Sequence, residues 1–254
     1  MNHAADLRIP MRLKKEPLLE AAWELRFAGD PAIGAALPGT LLEKLRATGR
    51  AARLELLPLA SVPAALRNTQ EQLRHGATHA LRGEGYTILT GDDVVALSVV
   101  RPYPGWSNFK ARILELAAWI KDTKIIPQPL GFSIRYIDFF HGPPKEMLKL
   151  LAINIQVGGL APESGELHLQ LPASSQGFQG LIQILNPAQV AAGEAHASTG
   201  LITDVLIIDD AASLPDPWKC FEERLDQAKV ICHRLFFSLL KPDTIQSMDP
   251  VYED

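Results

Sequence analysis

Apolar and polar residues along this chain follow two periods, about two and about 3.6 residues, the rhythms of half-buried strands and of amphipathic helices. From Pro17 to Gly29, Trp23, Leu25 and Phe27 alternate with Glu24 and Arg26, which predicts a strand with one buried face. Asp30-Pro31 then opens a helical stretch ending near Gly49, with Leu41, Leu42 and Leu45 at helical spacing. Residues 53–58 predict a short strand, and 61–77, which holds Pro63 and Asn68, a loop or marginal helix. Three short runs within residues 78–101 predict a meander, and Gly91-Asp92-Asp93 turns the last two into an antiparallel hairpin. Beyond Pro102-Tyr103-Pro104-Gly105, the stripe Trp106, Phe109, Ile113, Leu116, Ile120 predicts a helix to about Lys121.

The pattern then starts again. Pro129 to Gly142 is rich in strand formers, and Pro143-Pro144 opens a short helix through Leu151. Strands are predicted at 153–158, 165–171, 178–185 and 201–208, and a final helix from about Pro217 to Leu240. Its stripe is Trp218, Phe221, Leu225, Ala228, Cys232, Leu235 and Leu239. Landmarks of the two halves fall at a nearly constant offset of 112 residues: Pro17 against Pro129, Trp106 against Trp218, Phe109 against Phe221, with 113 between Gly29 and Gly142. Each half reads β-α-β-β-β-β-α, so we expect an α+β fold of two similar units, residues 1–127 and 128–254, packed as one pseudo-duplicated chain. Antiparallel sheets bury one face under long amphipathic helices in such a layout. The element order resembles the TATA-binding-protein-like unit or a helix-grip unit, and fold likeness of this kind carries no function across.

Composition narrows the class without naming an activity. The 254 residues are 47% hydrophobic and 21% charged, the balance of a globular protein. No apolar run approaches the roughly 18 to 20 residues of a membrane helix, and the N-terminal stretch lacks the apolar segment of a signal peptide, so a cytoplasmic address is expected. The net charge of −4 hides an uneven split: 17 basic against 13 acidic residues in 1–127, and 8 against 16 in 128–254. That argues against general nucleic-acid binding, which needs a strongly basic surface. It suits either a half-to-half or homodimeric contact, or simply unevenly charged solvated faces. Cys220 and Cys232, twelve residues apart on one predicted helix, lie about 18 Å apart along its axis and cannot bridge each other.

No complete catalytic or cofactor-binding signature appears, so no metal or cofactor is expected, and Gly83-Glu84-Gly85 reads as a turn. Cys232-His233 places two metal-ligand types together, but helix neighbours point about 100° apart, and Cys232 reads as a small core residue. Asp92-Asp93 and Asp209-Asp210 read as solvated turn formers at strand ends. The polar cluster of most interest joins Arg101, Tyr103 and Trp106 at a strand-to-helix corner with Arg135, Tyr136 and Asp138 on the strand opening the second half. On that strand Ser133, Arg135 and Ile137 face one way and Ile134, Tyr136 and Asp138 the other. Arg101, Tyr103, Arg135, Tyr136 and Asp138 are the candidate ligand-binding residues. In the competing reading, Arg101 or Arg135 pairs with a carboxylate and ties the halves together.

Pro17-Leu18-Leu19-Glu20-Ala21 with Glu24-Leu25-Arg26-Phe27, Tyr103-Pro104-Gly105-Trp106 with Phe109, Arg135-Tyr136-Ile137-Asp138, and a late helix beginning Phe221 to Asp226 together resemble a sporadically distributed prokaryotic family of uncharacterised proteins of about this length. The chain departs from it at Gln227 and Lys229, where the resemblance leads one to expect a histidine. The resemblance implies no activity. A scattered distribution is the habit of mobile or defence-associated genes. Three functions are therefore expected in order: a non-enzymatic protein binding a protein partner or small ligand on a sheet face or sheet–helix groove; an accessory or antitoxin-like partner in a defence system; and an enzyme with an anion site at Arg101 and Arg135.

Overall fold

The computed structural model describes residues 8–29, 31–126, 129–156, 158, 165–192, 196–210 and 216–252. The strands of the first half are β1 (Arg12–Leu13), β2 (Leu18–Phe27), β3 (Arg53–Leu56), β4 (His79–Gly83), β5 (Tyr86–Thr90) and β6 (Val94–Val100). Its helices are α1 (Pro31–Ala47), α2 (Ala64–Thr69), α3 (Glu71–Arg74) and α4 (Trp106–Thr123). The second half has β7 (Pro129–His141), α5 (Pro144–Met147), β8 (Leu167–Ser175), β9 (Phe178–Ala192), β10 (His196–Asp210), α6 (Phe221–Leu239), α7 (Pro242–Ser247) and β11 (Pro250–Val251). The proposed boundary at 127/128 lies outside the described residues.

Nine strands form one antiparallel sheet in the order β3-β4-β5-β6-β2-β7-β10-β9-β8, and β1 pairs with β11 beside it. The order reads alike outward from the central β2–β7 pair: the last strand of each half lies next to that half's first strand, and its neighbours follow in reverse. The antiparallel sheets expected of the two units are one continuous sheet of nine strands. The central pair runs from Leu18 opposite Asp138 to Phe27 opposite Pro129, with bulges near both ends, and joins the halves into a continuous ladder.

Alternation along each strand sorts side chains to the two faces. Ala21, Trp23, Leu25 and Phe27 of β2, Val95, Leu97 and Val99 of β6, Phe132, Ile134 and Phe140 of β7, and Leu201, Val205 and Ile207 of β10 all enter one core with the helices. The α4 stripe Phe109, Ile113, Leu116 and Ile120 and the α6 stripe Phe221, Leu225, Ala228 and Cys232 are buried as the 3.6 period requires. Phe221 meets Trp23, Phe132 and Trp218 edge-on at ring separations of 6.0, 5.4 and 5.8 Å, so α6 grips the seam between β2 and β7. Lys110 on α4 reaches Asp226 and Glu222 on α6, each at 2.8 Å, and the Trp106 indole N–H donates to Asp226 at 3.3 Å.

Two elements differ from expectation. Residues 153–156 form no strand, and 157 lies outside the described residues, so the described second half reads β-α-β-β-β-α. The chain here is drawn away from the sheet: Leu151 bridges to Leu240, the Ala152 N–H donates to Leu239 O at 2.7 Å, and Lys241 N–H and the Thr244 hydroxyl donate to Leu150 O. The last helix begins at Phe221, not Pro217, because the Asp216 carboxylate accepts from the N–H groups of Trp218 and Lys219 and holds a turn.

Trp23→Ala, at a side chain with no solvent exposure, is expected to lower unfolding free energy by about 3–5 kcal/mol in urea denaturation followed by circular dichroism. Leu56→Ala, at an edge-strand residue 69% exposed, should stay within about 0.5 kcal/mol of the parent.

Candidate functional site

The five candidate residues do not converge. Tyr136 and Asp138 point to the helix side of β7, and Arg135, one residue off in phase, points to the opposite face. Arg101, just past β6, gives its guanidinium N–H groups to the carbonyls of Pro17 and Leu18, fixing the chain where it enters β2. Tyr103 and Tyr136 share a hydrogen bond between hydroxyls at 3.2 Å, and their rings meet edge-on at 6.2 Å. Burial pushes Tyr103 up to about 12 and Tyr136 well above the ordinary phenol range, so both keep their protons.

Asp138 is the most perturbed carboxyl of the group. It is 4% exposed and stands directly opposite Thr203, whose fully buried hydroxyl finds no partner among the described residues. Burial raises its pKa to about 8, with the Arg101 charge pulling the other way and Glu16 and Asp204 adding to the rise. On the same side of the sheet Cys232, with its sulfur 3.8 Å from the Ile134 carbonyl, is an inert core group whose thiol burial holds well above the usual range. His233 is lowered to about 4 by burial and by Lys229, and its ring packs against Phe237. The helix-side candidates thus lie in a buried layer between sheet and helices.

On the open face the Arg135 guanidinium binds both oxygens of Asp204, through Nε at 2.9 and 3.1 Å and through Nη2. Both residues belong to the second half, so this pair does not tie the halves together. Around it stand Ile137 and Phe139 of β7, Ile202, Leu206 and Ile208 of β10, and Leu181 and Leu185 of β9. All seven are at least partly exposed, and none enters the helix-side core. Leu185 is 38% exposed. Phe139 lies over Gly200, where any added Cβ would meet its ring at 2.8 Å, so the glycine seats the aromatic. Farther along, His141 Nδ1 lies 2.7 Å from Ser198 Oγ in an open groove of about 550 Å³ shared with Gly142, Pro143, Pro144, Ala197 and Thr199. Neither candidate arginine lines it.

Asp92 and Asp209 of the acidic doublets are buried, while Asp210 is exposed. Asp92 is 6% exposed and takes Arg67 at 2.7 and 3.2 Å, while Asp209 is 1% exposed and takes Arg224, whose guanidinium also covers the Phe178 ring at 4.4 Å. Asp93 meets His75 Nδ1 at 2.7 Å. Asp92, Asp93 and Asp209 each have a cationic or imidazole partner supplied from elsewhere in the chain. Among the described residues no three His, Cys, Asp or Glu side chains gather as metal ligands would.

Sequence reasoning missed Asp204, Thr203 and the seven apolar residues of the open face. On β10 both faces are apolar, so the alternation that exposes a solvent face is absent there. Compared with known proteins, the chain matches no protein-family model and no curated protein sequence.

Because folded Asp138 holds its proton to about pH 8 while the unfolded carboxyl releases it near 3.8, the folded state binds the extra proton between those values. Its contribution to stability is therefore fully present below pH 4 and is lost as pH rises toward 8. Asp138→Asn is expected to gain about 1–3 kcal/mol at pH 8 relative to the parent and to flatten the pH dependence in urea titrations between pH 4 and 8. A parent curve rising with pH across that window, unchanged by the substitution, would reject this account.

Proposed function

We propose that the protein is a non-enzymatic binding protein that offers the open face of its sheet to a protein partner or small ligand. One observation carries the reading: seven apolar side chains lie together on a sheet face that the helix-side core leaves alone, while the charges among them are already matched. Contiguous apolar surface of this kind marks interaction sites. The Arg135–Asp204 pair suits the centre of such a patch, because it presents a guanidinium already held in place. Arg26 pairs with Glu24, and Arg53 and Arg82 share Glu55, on the first half of the same face, so its arginines stand among carboxylates rather than forming a basic track for nucleic acid. Among the described residues no helix is long and apolar enough to cross a membrane.

We further infer an internal duplication with a TATA-binding-protein-like layout. It is supported by the strand order and by the central register: Ala21 pairs with Tyr136 and Trp23 with Ile134, and a shift of 113 residues exchanges these two pairs. The helices keep the offset of 112, so the two strands and the two helices differ in phase by one residue. The family resemblance adds the reading of an accessory or antitoxin-like partner in a defence system, with the same face as its contact surface. An anion site built jointly by Arg101 and Arg135 is the less favoured reading, since Arg135 presents itself on the open face and the Arg101 charge acts at Asp138 on the other.

Affinity capture from the native host, quantified against Leu206→Glu, tests the binding reading. The parent and a control, Leu66→Glu on the exposed side of α2, should retain at least one protein or metabolite that Leu206→Glu loses by about tenfold or more, with all three melting alike. Identical captured sets would defeat it.

A further inference from the structure

We infer that the first half binds one chloride-sized anion on the helix side of its sheet, in a cavity of about 10 Å³ at Arg50, Tyr86, Arg112, Glu115 and Trp119. Arg50 lies just past α1, Tyr86 opens β5, and the other three belong to α4. Two of these residues carry a buried donor without an acceptor: the Tyr86 hydroxyl and Arg112 Nη1 make no hydrogen bond among the described residues. Tyr86 is only 7% exposed, and its ring is closely seated. The Arg112 guanidinium lies 4.5 Å from the ring centre, and a Cβ added to Gly83, opposite Tyr86 in the β4–β5 ladder, would meet the ring at 2.3 Å. The donors are thus held in place by packing.

The charges around the cavity are short of one anion. Arg50 gives its guanidinium to Glu115 through Nη2 and to Thr48 Oγ1 through Nε at 3.1 Å, and it covers the Trp119 ring at 5.1 Å. Among the described residues Arg112 has the Tyr86 ring for a partner and no carboxylate, although Glu115 lies three residues along the same helix. Two guanidiniums and one carboxylate therefore line the cavity, and its remaining side chains, Leu45, Ile88, Leu97 and Leu116, are aliphatic. A water molecule can take the Arg112 N–H and give its own hydrogens to Tyr86 and Glu115, yet it leaves the guanidinium charge unmatched. An anion accepts from both donors and supplies the missing charge, in charge-assisted bonds stronger than those of a neutral acceptor. Size narrows the class further. The cavity admits about one sphere of water size, which suits a monatomic halide and shuts out a carboxylate or phosphate ligand. A bound halide would tie the end of α1 to α4 and β5, so the stability of this half should follow halide concentration.

The test uses the full chain, with chloride itself as the probe and gluconate holding the ionic strength constant. As chloride rises from millimolar to several hundred millimolar, the thermal midpoint of the parent is expected to climb and saturate, by about 2 °C or more in total. The protein should also broaden the chlorine nuclear magnetic resonance line. Arg112→Met keeps the apolar stem and Tyr86→Phe keeps the ring; each should cut both effects by about threefold or more. Arg82→Met, at an arginine paired with Glu55 on the neighbouring strand, should leave both effects in place. Should Arg112→Met fail to fold, Tyr86→Phe decides alone. Effects that survive the loss of either donor are chloride held elsewhere on the surface, and they overturn the inference. A parent whose midpoint and line width ignore chloride holds water at this place, and that result overturns it equally.

Discussion

The rest of the structure depends on the antiparallel ladder between β2 and β7. It makes one sheet from two halves that each have an amphipathic helix to spend on a single face. With the strands paired in this register, Trp23 and Phe132 lie on the same side, and Phe221 at the start of α6 closes over both. A slip of one residue would turn Trp23 toward the other face and bring Glu24 beneath the helices, so burial of the aromatics and the register enforce each other. The Asp226 contacts with Trp106 and Lys110 then hold α4 and α6 side by side over the seam.

That arrangement accounts for how much was legible beforehand. Strand β2 and helix α4 could be read because each buries one face, and a period of two or 3.6 survives in the sequence as a trace of that burial. The first strand, the meander and both long helices were visible for this reason. Residues 153–158 look equally strand-like, yet the backbone of 150–152 finds its partners at the end of α6, some 90 residues later, and no local pattern encodes that choice. The same holds for Asp92 and Asp209. As doublets before a turn they look solvated, and only the fold brings Arg67 and Arg224 to them.

The candidate residues were legible in a similarly divided way. Alternation on β7 separated Arg135 from Tyr136 and Asp138, although all three were grouped as candidates for one site. It could not supply Asp204, 69 residues from Arg135 in sequence, which turns an apparently available guanidinium into half of a pair. Nor could it reveal the open apolar face, since residues 201–208 of β10 are aliphatic at six of eight positions and read as a strand buried on both sides.

These observations converge on a division of labour between the two faces. A group that works as an acid, base or nucleophile must be reachable, and Asp138, Tyr136 and Cys232 lie under helices in the packed layer, with pKa values that keep them neutral. Their perturbation is what burial does to any titratable group, and it marks a tightly closed interior as readily as a catalytic one. The open face has the opposite character. Its arginines stand among carboxylates and its aliphatic side chains stay partly exposed, and on the proposed reading that surface takes an apolar partner. In a nine-stranded sheet whose long helices α1, α4 and α6 all join one core, the second half keeps such a face, and water is a poor cover for Phe139, Ile202, Leu185, Leu206 and Leu181 together. The function is therefore best sought in what completes the sandwich.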